Sequence, residues 1–366
     1  MKKICFMIPS LNSGGSERVF LNLLNNLDRN KYDINLLLIN GKGTLYPMLK
    51  KDIHIIELEC MRVRFSCFNI ISTLKKLKPD IVISTISEFN FFIGFFVIPF
   101  LQKYNIYFIG RESHLLSMTY SSKIKKYFKS IALNQFNKII VQSDDMYKDI
   151  QENFNINKSK CIKINNPIDI NDIFNKVNNC LKPIEYDDNY KILLCVARLY
   201  KQKGLDLLIP IMEQLKNYKV KLYIIGEGPE EENLKNLILE KKLEDRVLFL
   251  GRKSNPYIYM KYADLFLLSS RYEGFPNALI EAGSLGLYSI CNSCKGGINE
   301  IIIDNFNGCI IDYCSVERVK GLILKALFEM DINHDKIKEY TIKKYSINSI
   351  MALYCDTFNF EKRIKE

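Results

Sequence analysis

Two series of short apolar strands, each alternating with amphipathic helices, run along this 366-residue chain. The strands predicted in the first series are Lys3–Pro9, Ile34–Ile39, Asp80–Ser84, Ile106–Ile109 and Lys138–Val141. Those predicted in the second are Lys191–Val196, Val220–Ile225, Arg246–Leu250, Leu265–Leu268 and Tyr288–Cys291. Strands that are apolar throughout and are separated by helices predict parallel sheets covered on both faces. The chain is therefore expected to form two α/β domains, each with a doubly wound sheet.

A polar stretch with little periodicity, residues 175–188, separates the two series. It predicts an N-terminal domain at residues 1–177, a linker at 178–190, a C-terminal domain at 191–344 and a final helical segment at 345–366. Ligands of doubly wound sheets bind at the carboxyl ends of the strands. Two such domains facing each other would form a cleft, so the loops that follow the strands are the first places to search for a site.

The charge of the chain favours an anionic partner. The formal net charge is +11, and residues 61–138, with twelve basic and three acidic side chains, hold nine of those charges. Phosphates, nucleic acid and an acidic membrane surface all fit this excess. The apolar run 89–101 is shorter than the roughly 20 residues that span a bilayer, and no secretory leader is expected. The eleven scattered cysteines favour reduced thiols in a cytoplasm.

Two loops carry groups suited to binding phosphate. Gly14 and Gly15 follow the first strand and open a helix, where backbone N–H groups can approach an anion. Arg198 and Lys203 follow the first strand of the second series, where they can clamp a diphosphate. A plain tight turn and a solvated basic loop are the respective structural alternatives.

A third loop contains two acids eight residues apart, Glu273 and Glu281, with Pro276 suited to a first helical turn. The alternative is an acid at a helix start plus an ordinary surface glutamate. The stretch 294–297, Cys-Lys-Gly-Gly, follows a later strand. A zinc site using its cysteine is disfavoured, because the spacing is only loosely zinc-like and the neighbouring cysteines lie in apolar strands. His114 also follows a strand.

In this order, the stretches resemble the retaining GT-B glycosyltransferases of family 4. The resemblance covers the whole chain and is strongest over residues 191–308; its most specific element is EGFPNALIEA, from Glu273 to Ala282. It implies a GT-B architecture: two Rossmann-like domains face each other across a cleft, the first binding the acceptor and the second the nucleotide-sugar. It also implies that the final helix, at about residues 345–360, crosses back to the first domain.

The resemblance also implies roles for individual residues. Arg198 and Lys203 would bind and stabilise the donor diphosphate, Glu273 would contact hydroxyls of the transferred sugar, and Glu281 would hydrogen-bond the ribose. His114 would lie near the acceptor or the sugar. The remaining groups implied in donor binding are Gly14, Gly15, Gly226, Glu227, Arg252, Phe275, Asn277, Ala278 and Leu279. The stretch 294–297 departs from the family pattern.

The implied activity is transfer of a hexosyl or N-acetylhexosaminyl group, with retention, from a nucleoside diphosphate to a glycan acceptor. UDP is favoured as the nucleotide. The acceptor is expected to be linked to a lipid diphosphate, in the synthesis of a bacterial surface polysaccharide such as O-antigen or capsule. No cofactor and no metal are expected, since Asp-x-Asp does not occur in the chain. The alternatives are a sugar-nucleotide epimerase, a sugar-phosphate synthase or, in another class, a basic nucleic-acid-binding protein, for which no recognisable module is present.

The segment 120–133 combines basic side chains with aromatic and aliphatic ones, a composition suited to an anionic membrane surface. We expect a peripheral, cytoplasmic protein that docks on the inner leaflet through this helix. The alternative is a packed amphipathic helix with a solvated basic face. The side chains expected to face the membrane are Lys123, Lys125, Lys126 and Lys129.

Overall fold

The computed structural model describes residues 1–12 and 14–359 of the chain. They divide into two compact units, the first comprising Met1–Ile168 and the chain from Ile347 onward, and the second Asp169–Ser346. This division follows Ile168, whereas the sequence pattern placed the end of the first domain at residue 177.

Each unit contains one sheet in which all strands are parallel. The strands of the first sheet are β1 (Lys2–Ile8), β2 (Tyr32–Leu38), β3 (His54–Glu57), β4 (Ile81–Thr85), β5 (Tyr107–Arg111), β6 (Lys138–Val141) and β7 (Cys161–Lys163). Those of the second sheet are β8 (Lys191–Val196), β9 (Val220–Ile225), β10 (Val247–Phe249), β11 (Leu265–Leu268), β12 (Ser289–Asn292) and β13 (Gly308–Ile311).

Helices connect the strands. In the described residues they are α1 (Gly15–Asn26), α2 (Cys67–Leu77), α3 (Ser87–Phe92), α4 (Leu116–Thr119), α5 (Lys123–Asn134), α6 (Asp144–Asn153), α7 (Ile170–Val177), α8 (Leu208–Gln214), α9 (Glu231–Glu240), α10 (Tyr257–Tyr262), α11 (Asn277–Ser284), α12 (Ile298–Ile301), α13 (Val316–Phe328), α14 (His334–Tyr345) and α15 (Ile347–Phe358). A π-turn, Ile93–Val97, continues α3, and 3₁₀ turns cover Tyr46–Met48, Val63–Phe65, Ile98–Phe100, Gln102–Tyr104, Lys158–Lys160, Lys201–Lys203 and Leu205–Leu207.

The strand order confirms the predicted doubly wound α/β class. The first sheet runs β3-β2-β1-β4-β5-β6-β7 and the second β10-β9-β8-β11-β12-β13. In both sheets the chain moves outward in one direction from the first strand and then returns to its other side. The order therefore reverses between β1 and β4 and between β8 and β11, the points at which such sheets bind ligands.

Continuous apolar strands are buried because helices cover both sides of each sheet. In the first unit Ile4, Phe6 and Ile8 of β1 are fully buried, and the ring of Phe6 meets that of Phe20 from α1 edge to face at 5.2 Å. Burying one such side chain is worth about 1.5–3 kcal/mol. In the second unit, Leu193 of β8 belongs to the equivalent core, together with side chains of α8 and α13.

The sequence pattern did not predict three strands, β3, β7 and β13, and all three lie at sheet edges. Each has three or four residues and contains partly exposed positions. An edge strand is covered less completely than a central one, so its sequence need not be apolar throughout. The apolar-run criterion therefore finds the central strands of each sheet and the edge strand β10, and misses the other three edge strands.

The last described helix, α15, packs in the first unit, where Ile350, Met351 and Phe358 join the core. The buried Arg111 guanidinium, at the end of β5, donates from Nε to the hydroxyl of Tyr354 in this helix at 3.2 Å. The helix predicted at residues 345–360 thus begins at Ile347, and residues 360–366 lie outside the described residues. No helix within the described part of the chain has the length and apolar character needed to cross a bilayer.

The Tyr354 hydroxyl is expected to anchor α15. Tyr354→Phe removes a hydrogen bond to a buried cation, so the free energy of unfolding of the first unit should fall by about 1.5–3 kcal/mol. Urea denaturation measures the loss, and amide exchange across residues 347–358 should accelerate. Tyr127→Phe, at an exposed position of the same unit, is the control and should change stability by less than about 0.5 kcal/mol. Equal effects of the two substitutions would contradict the anchoring role.

Candidate functional site

The loops after β8 and β9 press against each other at the carboxyl edge of the second sheet. Gly226 has a φ of +151°, and a Cβ built on it would lie 1.8 Å from the carbonyl oxygen of Ala197. The Leu199 N–H donates to the Glu227 carbonyl oxygen at 3.0 Å. Only glycine permits this approach, so Gly226 holds the Arg198 loop in place through its backbone.

An ion pair joins the loop after β8 to the loop after β11. Lys203 Nζ lies 2.6 Å from Glu273 Oε1, and the two side chains are only 18% and 7% exposed. The Ser270 hydroxyl donates to the same carboxylate oxygen at 2.6 Å. A buried carboxylate needs such partners to offset the loss of water. The pair therefore fixes two predicted site residues against each other across the point where the strand order reverses.

The Cys-Lys-Gly-Gly stretch after β12 braces the Glu273 loop. The Glu273 N–H donates to the Lys295 carbonyl oxygen at 3.0 Å, and the Gly297 N–H donates to the Gly274 carbonyl oxygen at 2.9 Å. Gly296 has a φ of +128°, and a Cβ there would lie 2.0 Å from the Glu273 carbonyl oxygen. The stretch thus supports the site through its backbone.

Arg198 lies in the same loop as Lys203, and its side chain is exposed. Its guanidinium carbon is 5.1 Å from the centre of the Tyr200 ring, a distance at which the ring can support the cation. A planar guanidinium can bind two phosphate oxygens at once. The residue is therefore suited to an anion arriving from solvent.

Helix α11 begins directly after the Glu273 loop. Pro276 is the N-cap residue before its first residue, Asn277, and the Pro276 side chain makes no capping hydrogen bond. The N-terminus of a helix carries partial positive charge. In α11 this charge lies next to the Glu273 loop. Phe275 is buried against the Tyr345 ring at 5.7 Å, and Leu279 of α11 is also buried. These contacts anchor the end of the loop and the first turn of the helix.

Glu281, on α11, accepts a hydrogen bond at Oε1 from the Tyr257 hydroxyl at 3.4 Å. Arg252 and Glu227 form a separate ion pair at 3.4 Å, with both side chains largely exposed. Exposed pairs of this kind contribute little to stability. Neither of these two contacts joins its residues to the Lys203–Glu273 pair.

In the first unit, Gly14 caps the start of α1, and Gly15 is the first residue of that helix. The Glu17 side chain folds close to Gly14, since a Cβ there would lie 2.2 Å from Glu17 Oε2. Ser13, the residue before Gly14, lies outside the described residues. Both glycines follow β1, the strand at which the order of the first sheet reverses.

The position of Lys129 contradicts the prediction that this residue faces a membrane. Its side chain is completely buried and lies 3.0 Å from the equally buried carboxylate of Glu112, so it does not face a membrane. Lys129 Nζ also donates to the Ser87 carbonyl oxygen at 2.7 Å. Helical periodicity explains the error: α5 turns one basic residue inward, where a carboxylate compensates its charge.

The other three lysines of α5 differ in exposure. Lys123 and Lys125 are exposed, whereas Lys126 is partly buried and donates to Asn153 Oδ1 at 2.6 Å. Ile124 and Tyr127 of the same helix are 70% and 65% exposed. The outward face of α5 therefore combines two exposed lysines with apolar surface.

His114 lies in the first unit, after β5. Its Nε2 atom is buried and has no hydrogen-bond partner among the described residues, and the same is true of Glu112 Oε2. Burial raises the pKa of the Cys291 thiol well above its usual value, so this cysteine is poorly suited to act as a thiolate metal ligand. Across the described residues, no three or more His, Cys, Asp or Glu side chains are arranged to hold a metal ion.

Three contributors were missed from the sequence: Ser270, Tyr257 and Glu112. Ser270 stands in a Ser-Ser pair directly after the apolar run of β11, a position where polar residues could have drawn attention. Tyr257 reaches Glu281 from another helix, α10, and no local pattern indicates such a contact. Glu112 was counted only as one acid in a basic region, whereas it is fully buried.

Known families match both halves of the chain. Residues 13–172 match the family described as Glycosyltransferase Family 4, and residues 180–344 match Glycosyl transferases group 1. A Haemophilus influenzae protein described as an uncharacterized glycosyltransferase is 30% identical, over 88% of this chain and 90% of its own. The Campylobacter jejuni enzyme N-acetylgalactosamine-N,N'-diacetylbacillosaminyl-diphospho-undecaprenol 4-alpha-N-acetylgalactosaminyltransferase is 32% identical, over 85% of this chain and 86% of its own.

Solved structures share the fold. The Anabaena protein HepE, in complex with UDP and glucose, matches 99% of this chain and 100% of its own with a TM-score of 0.83 at 17% identity. At that identity the likeness concerns the fold alone. The two family matches, the relatives similar over most of their length and the two doubly wound parallel sheets agree with one another. The chain belongs to the family 4 glycosyltransferases and has the GT-B fold.

Proposed function

We propose that this glycosyltransferase transfers the sugar of a UDP-sugar to a glycan that is linked to a lipid diphosphate. The transfer would retain the configuration of the anomeric carbon and would need no metal ion. The observation that carries the proposal is the Lys203–Glu273 pair at the reversal of the second sheet, with exposed Arg198 and the start of α11 beside it. This arrangement offers cations for a diphosphate and a carboxylate for sugar hydroxyls within one group of loops.

Departure of the diphosphate is the step these cations assist. When the bond between the anomeric carbon and the phosphate oxygen breaks, its electron pair stays on the phosphate. Arg198, Lys203 and the positive end of α11 would stabilise this growing charge, and fixed charges do so more strongly in the transition state than in the ground state. The acceptor hydroxyl would then attack the anomeric carbon from the face that the diphosphate leaves, and its proton would pass to the departing phosphate oxygen. Attack from this face gives retention.

Carboxylates would orient the donor. Glu273 is held by Lys203 and Ser270 at one oxygen, Oε1, which leaves its second oxygen for hydroxyls of the sugar. Glu281 would accept hydrogen bonds from the ribose, with the Tyr257 hydroxyl steadying its carboxylate. Backbone N–H groups at the start of α11 would contact phosphate. His114 and the Gly14–Gly15 turn would contribute from the first unit, His114 towards the acceptor or the sugar.

The names of similar proteins support the substrate classes. The Campylobacter relative carries diphospho-undecaprenol in the name of its acceptor. A relative from Erwinia amylovora, 26% identical over 87% of this chain, is an amylovoran biosynthesis glycosyltransferase. HepE was solved with UDP. We accordingly infer a hexosyl or N-acetylhexosaminyl donor and a place in bacterial surface polysaccharide synthesis.

A lipid-linked acceptor makes membrane docking useful, and α5 offers a surface for it. Lys123 and Lys125 are exposed, with Ile124 between them. The Phe128 ring of this helix contacts that of Phe95 at 6.1 Å, which extends the apolar surface to the neighbouring π-turn. We infer peripheral binding of this face to anionic lipid on the cytoplasmic side, with lysines meeting head groups and apolar side chains meeting the acyl boundary.

Arg198→Ala is expected to weaken UDP binding by about 1.5–3 kcal/mol, roughly ten- to a hundredfold, because a charged hydrogen-bond donor to the diphosphate is lost. Thermal denaturation with UDP in EDTA measures this. At a hundred times its dissociation constant, UDP should stabilise the unaltered protein by about 2.7 kcal/mol.

Lys201→Ala, at an exposed lysine of the same loop, is the matched control and should retain the full shift. If UDP raises the stability of the Arg198→Ala protein as much as that of the Lys201→Ala protein, nucleotide binding must lie elsewhere. A shift that disappears in EDTA would contradict metal-independent binding.

Lys123→Ala with Lys125→Ala should reduce binding to anionic phosphatidylglycerol vesicles by about thirtyfold, because each lysine near such a surface contributes about 1 kcal/mol. Co-flotation with vesicles at two salt concentrations measures the effect. Lys50→Ala with Lys51→Ala removes the same charge from another exposed pair of the first unit and should have little effect. Equal losses in both variants, or binding that ignores lipid charge, would contradict docking through α5.

A further inference from the structure

A strained backbone conformation marks the turn between β4 and α3. Ile86, the N-cap residue of α3, has a φ of +75° and a ψ of 121°. The other non-glycine residues with a positive φ in the described chain have φ values of +47° to +59°, close to that of a left-handed helix, and none of them is branched at Cβ. A positive φ is a genuine outlier for a β-branched side chain. The conformation of Ile86 therefore stores strain.

Hydrogen bonds to the two neighbouring residues hold this conformation in place. Thr85 and Ser87 are both fully buried. Thr85 Oγ1 accepts a hydrogen bond from Arg111 Nη1 at 3.2 Å, and the Ser87 carbonyl oxygen accepts one from Lys129 Nζ at 2.7 Å. Strained residues persist where the surrounding structure over-determines them, and they cluster at active sites and ligand clamps. The strain at Ile86 is thus a reason to search this turn for a ligand contact.

The turn lies at the carboxyl end of β4, where the strand order of the first sheet reverses. Strand β4 pairs there with β1, in a register that sets Ser84 opposite Met7. Ile86 follows Ser84 by two residues, so it lies just beyond the paired segment. Doubly wound sheets bind their ligands at such a reversal, outside the carboxyl ends of the strands. The strained residue therefore occupies the place where the first unit is expected to bind its ligand.

The Ile86 side chain is partly buried: it packs against the hydrophobic core of the first unit and keeps an exposed fraction. Branching at Cβ restricts its χ1 angle, so the side chain is stiff. Glycine adopts a positive φ without a steric cost, so the turn itself does not require isoleucine. Small-molecule sites are lined largely by apolar side chains with a few polar groups. The faces of a sugar ring present C–H groups that a stiff apolar side chain can contact.

We propose that Ile86 determines specificity for the acceptor: its side chain, held at the reversal of the first sheet, packs against the C–H face of the acceptor's terminal sugar. The strained backbone fixes the position of this contact. The inference rests on the proposed function for its ligand, because the lipid-linked glycan supplies that sugar. It assigns the choice of acceptor to a residue of the first unit, whereas the charged residues of the second unit bind the donor.

Isoleucine δ1-methyl NMR of the full chain tests the contact without measuring activity. The probes are glucose, galactose, N-acetylglucosamine and N-acetylgalactosamine, each linked to farnesyl diphosphate as a short-chain glycolipid, and UDP. The Ile86→Val protein identifies the Ile86 signal, which it lacks. At least one glycolipid should shift the Ile86 signal, and UDP should shift that of Ile280 in α11. Glycolipids that leave the Ile86 signal unchanged would overturn the inference, whether or not they shift other isoleucines of the first unit.

Two variants separate the side chain from the backbone strain. Ile86→Ala removes most of the side chain and keeps a Cβ at a positive φ, whereas Ile86→Gly also relieves the strain. Both should lower kcat/KM for the glycolipid about tenfold or more, the usual effect of a lost apolar contact on substrate discrimination. The Ile86→Gly protein should nevertheless unfold at a higher urea concentration than the Ile86→Ala protein. The thermal stabilisation by UDP should be the same in both.

Lys78→Gly is the matched control. Lys78 ends α2 with a φ of +47° and is exposed, and it precedes the amino end of β4, at the opposite edge of the same sheet. The substitution also relieves a left-handed backbone in the first unit. It should raise the urea midpoint of that unit and leave kcat/KM for the glycolipid unchanged.

The two proposals fail in different ways. Full kcat/KM in both Ile86 variants would overturn the specificity role even if sugar transfer proceeds normally. An equal loss of kcat/KM in the Lys78→Gly protein would overturn it as well, because the effect would then not depend on the reversal of the sheet. If UDP shifts no signal of α11 and no sugar is transferred, the proposed function is contradicted, and the glycolipid titration of the Ile86 signal still decides the inference.

Discussion

The buried ion pair between Lys203 and Glu273 is the interaction on which the second unit's site depends. It joins the loops after β8 and β11, the two strands between which the order of the sheet reverses. Removing one partner would leave an unpaired charge inside the protein, a change that typically costs about 3–5 kcal/mol. Its neighbours support the same arrangement: the Ser270 hydroxyl donates a second hydrogen bond to the same carboxylate oxygen, and Gly296 lets the next loop pass close behind Glu273. Arg198, in the same loop as Lys203, remains exposed.

In the first unit, buried charged residues at the end of β5 hold two helices in place. Arg111 and Glu112 are consecutive, both fully buried and bonded to different elements. Arg111 binds the last helix through Tyr354, whereas Glu112 binds α5 through Lys129. The end of β5 therefore holds two helices in position by charged hydrogen bonds rather than by apolar contact alone. His114 follows directly, so a helix-anchoring segment and a proposed substrate contact share a few residues of chain.

The central strands, the doubly wound class and the loops of the second unit could be predicted because apolar runs and glycine or charged residues after them are local signals. The limits are equally physical. The edge strands β3, β7 and β13 are partly exposed and lack continuous apolar character. The burial of Lys129 depends on Glu112, which lies on another element, and the partnership of Lys203 with Glu273 spans 70 residues of sequence. Contacts between distant elements leave no local pattern, even when both residues are recognised singly.

A crystal structure with UDP bound would test the central claim most directly, because it locates the diphosphate. The account predicts phosphate oxygens within hydrogen-bonding distance of Arg198 and of the first turn of α11, with the ribose at Glu281. Lys203 and Glu273 would remain beside the site, one towards the diphosphate and the other towards the position of the sugar. A diphosphate bound away from the carboxyl ends of β8 and β11 would contradict the account.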